Sequence, residues 1–177
     1  MTPHEIETAR LRLRPVTKAD VDELHALWSS PKVRKYLWDD EVIAHQRTAS
    51  TVDESLRLFA ACGYGLWGAR LHEREELVGF GGFWYFHNPP KLELLYGIAP
   101  EHWNGGLATE IVQALVRYGF EELDFSEVWA STNAPNAALV KVLEKAGLRF
   151  ERRAVVDGLD TLFYWLPRSA FSPGDYR

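Results

Sequence analysis

Pro100-Glu101-His102-Trp103-Asn104-Gly105-Gly106-Leu107-Ala108-Thr109-Glu110 is the stretch whose reading decides the fold of this chain. An apolar run from Leu92 to Ile98 precedes it, and Ala108, Ile111, Val112 and Leu115 follow at helical spacing, so two glycines stand where a strand hands over to a helix. The first amides of a helix lack intrahelical acceptors, the macrodipole adds positive charge there, and glycine lets a phosphate come close to the backbone. The stretch therefore reads as an anion site, with a plain strand-to-helix turn as the alternative for the glycines alone.

Outward from that stretch the chain alternates strands and helices with short connections. Upstream, Arg10 to Arg14 alternates Arg and Leu as a half-buried strand does, and Thr17 caps a helix carrying Val21, Leu24, Leu27 and Trp28 on one face, which stops before Pro31. A second helix is expected from about Thr51 to Ala61, ended by Gly63. Three strands, Tyr64 to Leu71, Leu77 to Tyr85 and Leu92 to Ile98, then form an antiparallel meander joined through His72–Glu76 and His87-Asn88-Pro89-Pro90. Downstream come a strand from Glu127 to Ser131, a helix from Asn136 to Ala146, and a hairpin of Leu148–Val156 and Leu159–Leu166 turned at Asp157-Gly158. A loose tail is expected from Ser172. The pattern predicts one α+β domain over residues 1–177 with a mixed, mainly antiparallel sheet.

Composition narrows the class. A chain of 177 residues, 46% hydrophobic, supports one buried core, and no apolar run reaches the roughly 18 residues that span a bilayer. A cytoplasmic protein without a membrane anchor is the expectation. The formal charge of −5 speaks against nucleic acid as the main partner. Six scattered histidines lack metal-binding helical spacing, so no metal is expected. Cys62 is the only cysteine and reads as a small buried apolar residue rather than a nucleophile. Gly63-Tyr64-Gly65-Leu66-Trp67-Gly68 satisfies the dinucleotide pattern G-x-G-x-x-G, but Ala69-Arg70-Leu71 continues as strand where a helix is required.

Three motifs in order resemble the GCN5-related N-acetyltransferase (GNAT) superfamily, in particular the branch of ribosomal-protein N-terminal acetyltransferases. The superfamily phosphate loop, Arg/Gln-x-x-Gly-x-Gly/Ala, maps onto Trp103-Asn104-Gly105-Gly106-Leu107-Ala108 with Trp in the first position. Asn136 followed by Lys145-Ala146-Gly147-Leu148 matches its later segment, and Glu7-Thr8-Ala9-Arg10-Leu11-Arg12-Leu13-Arg14-Pro15 resembles the opening of that branch. The resemblance implies acetyl-CoA as donor, lying in a splay between the strand ending at Ile98 and the strand at Glu127–Ser131. Amides from Asn104 through Ala108, with Thr109 beside them, would hold its pyrophosphate, backbone at Ile98 its pantetheine arm, and Asn136 would orient that arm or serve as a helix N-cap. The acceptor implied is a protein N-terminal amine. A small-molecule amine (polyamine, amino acid or aminoglycoside) and a non-catalytic acyl-CoA-binding module remain as alternatives.

The chemistry asks for proton management. At pH 7 an α-amine of pKa ~8 is roughly 10% neutral and a lysine amine of pKa ~10.4 about 0.04%, a difference of roughly 3.3 kcal/mol that favours the α-amine as nucleophile. Glu93, in Glu-Leu-Leu-Tyr, is the candidate base, an exposed strand carboxylate being the plainer reading. Where the superfamily carries a proton donor for the departing thiolate, this chain has Leu139 and Leu143, so the thiolate leaves either unprotonated or with a proton from a residue elsewhere, for which Tyr96 is the candidate. Glu110, in a first helical turn, reads as a partner of the helix dipole. Phe83, Trp84, Tyr85 and Phe86 are consecutive, so a strand turns some of them off the core; Trp84 and Tyr85 are candidate substrate contacts, and such a wall equally suits a homodimer contact.

Overall fold

Leu11 and Leu13 are fully buried while Arg12 and Arg14 between them are not, as the period-two pattern requires of the strand Leu11–Pro15. The computed structural model, which describes residues 4–38 and 40–175, makes this strand β2. It pairs antiparallel with the two-residue β1 (Ile6–Glu7) and with β3 (Leu66–Leu71). β4 (Leu77–Phe86) and β5 (Lys91–Ile98) complete the meander, giving the order β1-β2-β3-β4-β5. A second, three-stranded sheet has the order β6-β8-β7, from β6 (Glu127–Asn133), β7 (Arg149–Val156) and β8 (Leu159–Pro167). Every ladder among the described residues is antiparallel, as a mainly antiparallel sheet flanked by helices requires, and the strands divide into two sheets between β5 and β6, where the splay was expected.

The helices cover the first sheet from both sides. α1 (Val21–Ser29), α2 (Pro31–Leu37) and α3 (His45–Cys62) lie between β2 and β3 in sequence. Leu24, Trp28, Val33 and Val52 from these helices pack with Leu66 and Phe80 of the sheet. The second core cluster joins Ile111, Val112 and Leu115 of α4 (Leu107–Glu121) to Phe83, Leu94 and Ile98, and takes in Leu143 of α5 (Ala137–Lys145). Large side chains this well buried contribute about 1.5–3 kcal/mol each relative to exposure. The two clusters clamp β4 and β5 from opposite faces, which fixes where the next side chains along β5 point.

Several expectations are corrected by packing. Pro31, expected to lie beyond a helix end, opens α2 at its first position, where its missing N–H costs nothing. α3 starts six residues before the expected Thr51, because its buried face begins with Thr48 and continues through Thr51, Val52, Ser55 and Phe59, mostly hydroxyl residues that apolar periodicity overlooks. Cys62, expected to be buried, is exposed as the last residue of α3, just before Gly63 turns left-handed with φ 77°. Gly63–Gly68 therefore joins a helix to a strand, the reverse of a dinucleotide loop. Asp157 and Gly158, with φ of 49° and 80°, form the hairpin turn. Of the expected loose tail, Pro173–Asp175 forms a 3-10 turn and 176–177 lie outside the described residues. No helix among the described residues is long and apolar enough to cross a membrane.

Candidate active site

β5 has a ladder partner on one side, β4, and β6 has one on one side, β8. The two strands nevertheless face each other, joined through α4, and line a common cavity of about 270 Å³. Alternate N–H and C=O groups of a strand edge without a ladder point outward, so the slot between β5 and β6 is walled by backbone donors and acceptors. Leu139 and Leu143 of α5 line it on one side and Tyr36 and Leu37 of α2 on another.

At the α4 end of this region the glycine loop has the geometry of an anion cradle. Asn104 and Gly106 are left-handed, with φ of 62° and 79°, and Gly106 is the N-cap of α4. Left-handed residues spaced in this way turn successive N–H groups to one side, and the amides of Leu107, Ala108 and Thr109 begin the helix without intrahelical acceptors. A Cβ at Gly105 would meet only the His102 carbonyl, at 3.6 Å, so the approach is open. The loop is held from behind. Arg10 Nη1 donates to the Gly105 carbonyl at 2.7 Å, and Arg10 Nε and backbone N–H donate to Glu110 at 2.7 and 2.8 Å. Thr8 Oγ1 adds a third bond to Glu110 at 2.6 Å. Burial would push the Glu110 carboxyl up, but these bonds and the Arg10 charge hold it below its ordinary range. Glu110 thus serves as the anchor of the loop, and Arg10, to which the sequence assigned no such role, is its partner.

The other expected cofactor contacts are partly engaged within the protein. The Ile98 carbonyl accepts from Trp103 Nε1 at 2.8 Å, so Trp103 braces the loop against the end of β5. Asn136 Oδ1 accepts from the Leu139 N–H at 3.2 Å and caps α5.

The expected catalytic pair is divided by the pleat. Glu93 and Leu95 share the face of Trp84, toward α1 and α2, whereas Leu94, Tyr96 and Ile98 face α4. Both Glu93 and Tyr96 still line the cavity, because the slot passes between the sheets. The Tyr96 phenol is pushed well above its usual range by burial and stays protonated at neutral pH. Glu93 is 2% exposed, not an exposed strand carboxylate. Ser131 Oγ of β6 donates to its Oε2 at 2.5 Å, and His87 Nε2 lies 3.0 Å from its Oε1. These partners come from a loop and from a different sheet, and no sequence spacing connects them. The expected substrate contacts lie elsewhere: Trp84 packs into the α1–α2 core, and Tyr85, half exposed, bonds through its hydroxyl to Tyr64 at 3.0 Å. Neither lines the cavity, whose aromatic side chains are Tyr36, Phe86, His87 and Tyr96.

A slot between two strand edges that have no ladder with each other among the described residues, a buried carboxylate within it, and an anion cradle at the start of the helix that links the two strands suit transfer of a group from a phosphate-bearing carrier. Residues 10–149 match the family of acetyltransferase (GNAT) domains, and the chain belongs to that family. It is 30% identical over 147 residues to YoaA of Bacillus subtilis (strain 168), an uncharacterized N-acetyltransferase, covering 82% of this chain and 83% of that protein. In fold it is similar to the acetyltransferase from Agrobacterium tumefaciens str. C58, with a TM-score of 0.80 at 23% identity, covering 93% of this chain and 94% of the other. It is also similar to RimL, a ribosomal L7/L12 alpha-N-protein acetyltransferase in complex with coenzyme A, with a TM-score of 0.79 at 19% identity, covering 94% and 99% of the two chains. The chain is an acetyltransferase.

Proposed function

We propose that this enzyme moves the acetyl group of acetyl-CoA to a primary amine, and that the amine is the α-amine of a protein N-terminus. The observation that carries the donor is the slot between β5 and β6, which have no ladder with each other among the described residues and whose cavity holds the buried Glu93, together with the glycine cradle that follows β5 at the start of α4. The pyrophosphate would rest on the amides of Asn104 through Ala108, and Thr109 stands beside it. The pantetheine amides would pair with the free edge of β5, short of the Ile98 carbonyl that Trp103 already engages. An outward N–H of that edge would hold the oxyanion, and such a preorganised donor contributes about 2.7–4 kcal/mol.

The amine enters on the Glu93 face and the thiolate departs toward Tyr96, so base and acid work from opposite sides of one strand. With Leu139 and Leu143 apolar, Tyr96 is the candidate donor to the departing sulfur. The α-amine is favoured over lysine because losing its proton at pH 7 costs on the order of 1.4 kcal/mol rather than 4.6. The fold shared with RimL is consistent with that acceptor. A small amine is the second reading, favoured by the narrow cavity.

The test is to incubate the protein with labelled acetyl-CoA and three acceptors: peptides with free α-amines, the same peptides with blocked α-amines and a free lysine, and small amines. Label on the α-amine is expected. Label on small amines alone would move the acceptor, and binding of acetyl-CoA with transfer to none would overturn transfer itself.

A further inference from the structure

We propose that His87 is the group that finally takes the acceptor's proton, with Glu93 as its buried counter-charge, and that the two act as a dyad steadied by Ser131. The inference rests on the acetyl-transfer reading above and assigns a role that Glu93 was expected to fill alone. Both oxygens of Glu93 already accept hydrogen bonds, one from Ser131 and one from His87, and its side chain is 2% exposed. The His87 ring is 21% exposed and lines the same cavity. His87 is the basic member of the network, and its partly exposed ring lies where an incoming ammonium group and bulk water can reach it.

The geometry fixes the polarity of the pair. Because a carboxylate only accepts, the 3.0 Å contact requires the proton on Nε2, which leaves Nδ1 with its lone pair in the neutral imidazole. Nδ1 makes no hydrogen bond among the described residues. The ring is held rather than free: the His87 backbone is left-handed at φ 69°, its ring lies 5.3 Å from that of Phe163, and Ser131 Oγ is 3.4 Å from Nε2. In the transfer step an N–H bond of the acceptor breaks and an Nδ1–H bond forms. The resulting imidazolium keeps its Nε2–H on the Glu93 carboxylate, and the Nδ1 proton then leaves to water, restoring both groups.

Other ionisable groups surround the site. On the cavity wall are Tyr36 of α2, Tyr96 of β5 and Asp157 of the β7–β8 turn. Beyond Phe163, Arg152 of β7 stacks 3.9 Å from that ring, and Lys91 at the start of β5 interacts electrostatically with Glu93. Glu93 alone among these contacts the imidazole through a hydrogen bond.

His87→Gln tests the assignment, because the Gln amide keeps a donor near the Nε2 position and has no basic nitrogen. Acetyl-CoA affinity is expected within twofold of wild type. The turnover number at pH 7 should fall at least tenfold and should follow the acceptor's own ionisation as pH rises, and added imidazole should restore part of it. A variant with the wild-type rate and pH profile, or a slow variant that imidazole does not rescue while Glu93→Gln abolishes turnover, would overturn the assignment and return the base to Glu93. The wild-type protein on the same acceptors keeps the two readings apart: if it transfers to no amine, the transferase reading fails, whereas unequal sensitivity of the variants bears on His87 only.

Discussion

Replacing Gly106 with Val perturbs the cradle at its most constrained point. Gly106 has φ 79°, and a Cβ there would sit 3.4 Å from Arg10 Nη2, in ordinary contact, before the two branch methyls are added. A non-glycine residue held left-handed costs roughly 1–2 kcal/mol, so for a chain of this size Tm should drop by about 2–8 °C while the fold persists. The variant therefore folds with a small loss of stability. The effect on the donor should be larger. If one amide-to-phosphate bond is lost, the cost is about 1.5–3 kcal/mol, or about 10- to 150-fold in affinity. Calorimetry with acetyl-CoA on a variant shown by melting and circular dichroism to be folded reads the ratio directly. Gly105→Ala is the control for strain, since its Cβ meets only a carbonyl at 3.6 Å and its φ is not left-handed. Affinity within twofold of wild type in folded Gly106→Val would refute the placement of the pyrophosphate.

Three further outcomes are expected. Glu93→Gln should lower turnover at least tenfold with acetyl-CoA affinity nearly constant, and the residual rate should climb with pH through the acceptor's pKa, as read from initial rates; unchanged kinetics would make Glu93 structural. Tyr96→Phe should reduce turnover and remove any falling limb at high pH, whereas an unaltered profile would mean the thiolate leaves unprotonated. Burial would raise the Asp20 carboxyl, but hydrogen bonds from Thr17 and the charges of Arg70 and Arg14 lower it below its unfolded value. Its stabilisation is therefore complete above the unfolded value of about 3.9 and is lost as pH falls through the lower folded value. Denaturant melts should show that acid loss in wild type and a shallower one in Asp20→Asn; parallel curves would remove Asp20 from the acid response.

Local signals in the sequence were sufficient where one element satisfies itself. The Arg10–Arg14 alternation, the Asp157-Gly158 turn and the Gly105-Gly106 handover each state their conformation within a few residues. The start of α3 was hidden because its buried face is built from Thr48, Thr51 and Ser55, whose hydroxyls find partners inside the protein: the Leu66 N–H donates to Ser55 Oγ at 2.8 Å, and Thr48 lies 3.0 Å from His25. The two-residue β1 is too short for any period. In the site, Glu93 was legible as a strand carboxylate, but its burial was not, since that depends on Ser131 and His87 arriving from 38 residues downstream and 6 residues upstream. The role of Arg10 was hidden for the same reason: the loop carbonyl it holds lies 95 residues away.

A crystal structure of the protein with acetyl-CoA tests the central claim most directly. The expected result has the pyrophosphate on the amides of residues 104–109, the pantetheine arm along the free edge of β5 between the two sheets, and the thioester carbonyl between Glu93 and Tyr96. A cofactor bound with β5 and β6 closed onto each other, or with its pyrophosphate in the groove between the outer side of α4 and the segment around Thr8, would contradict it.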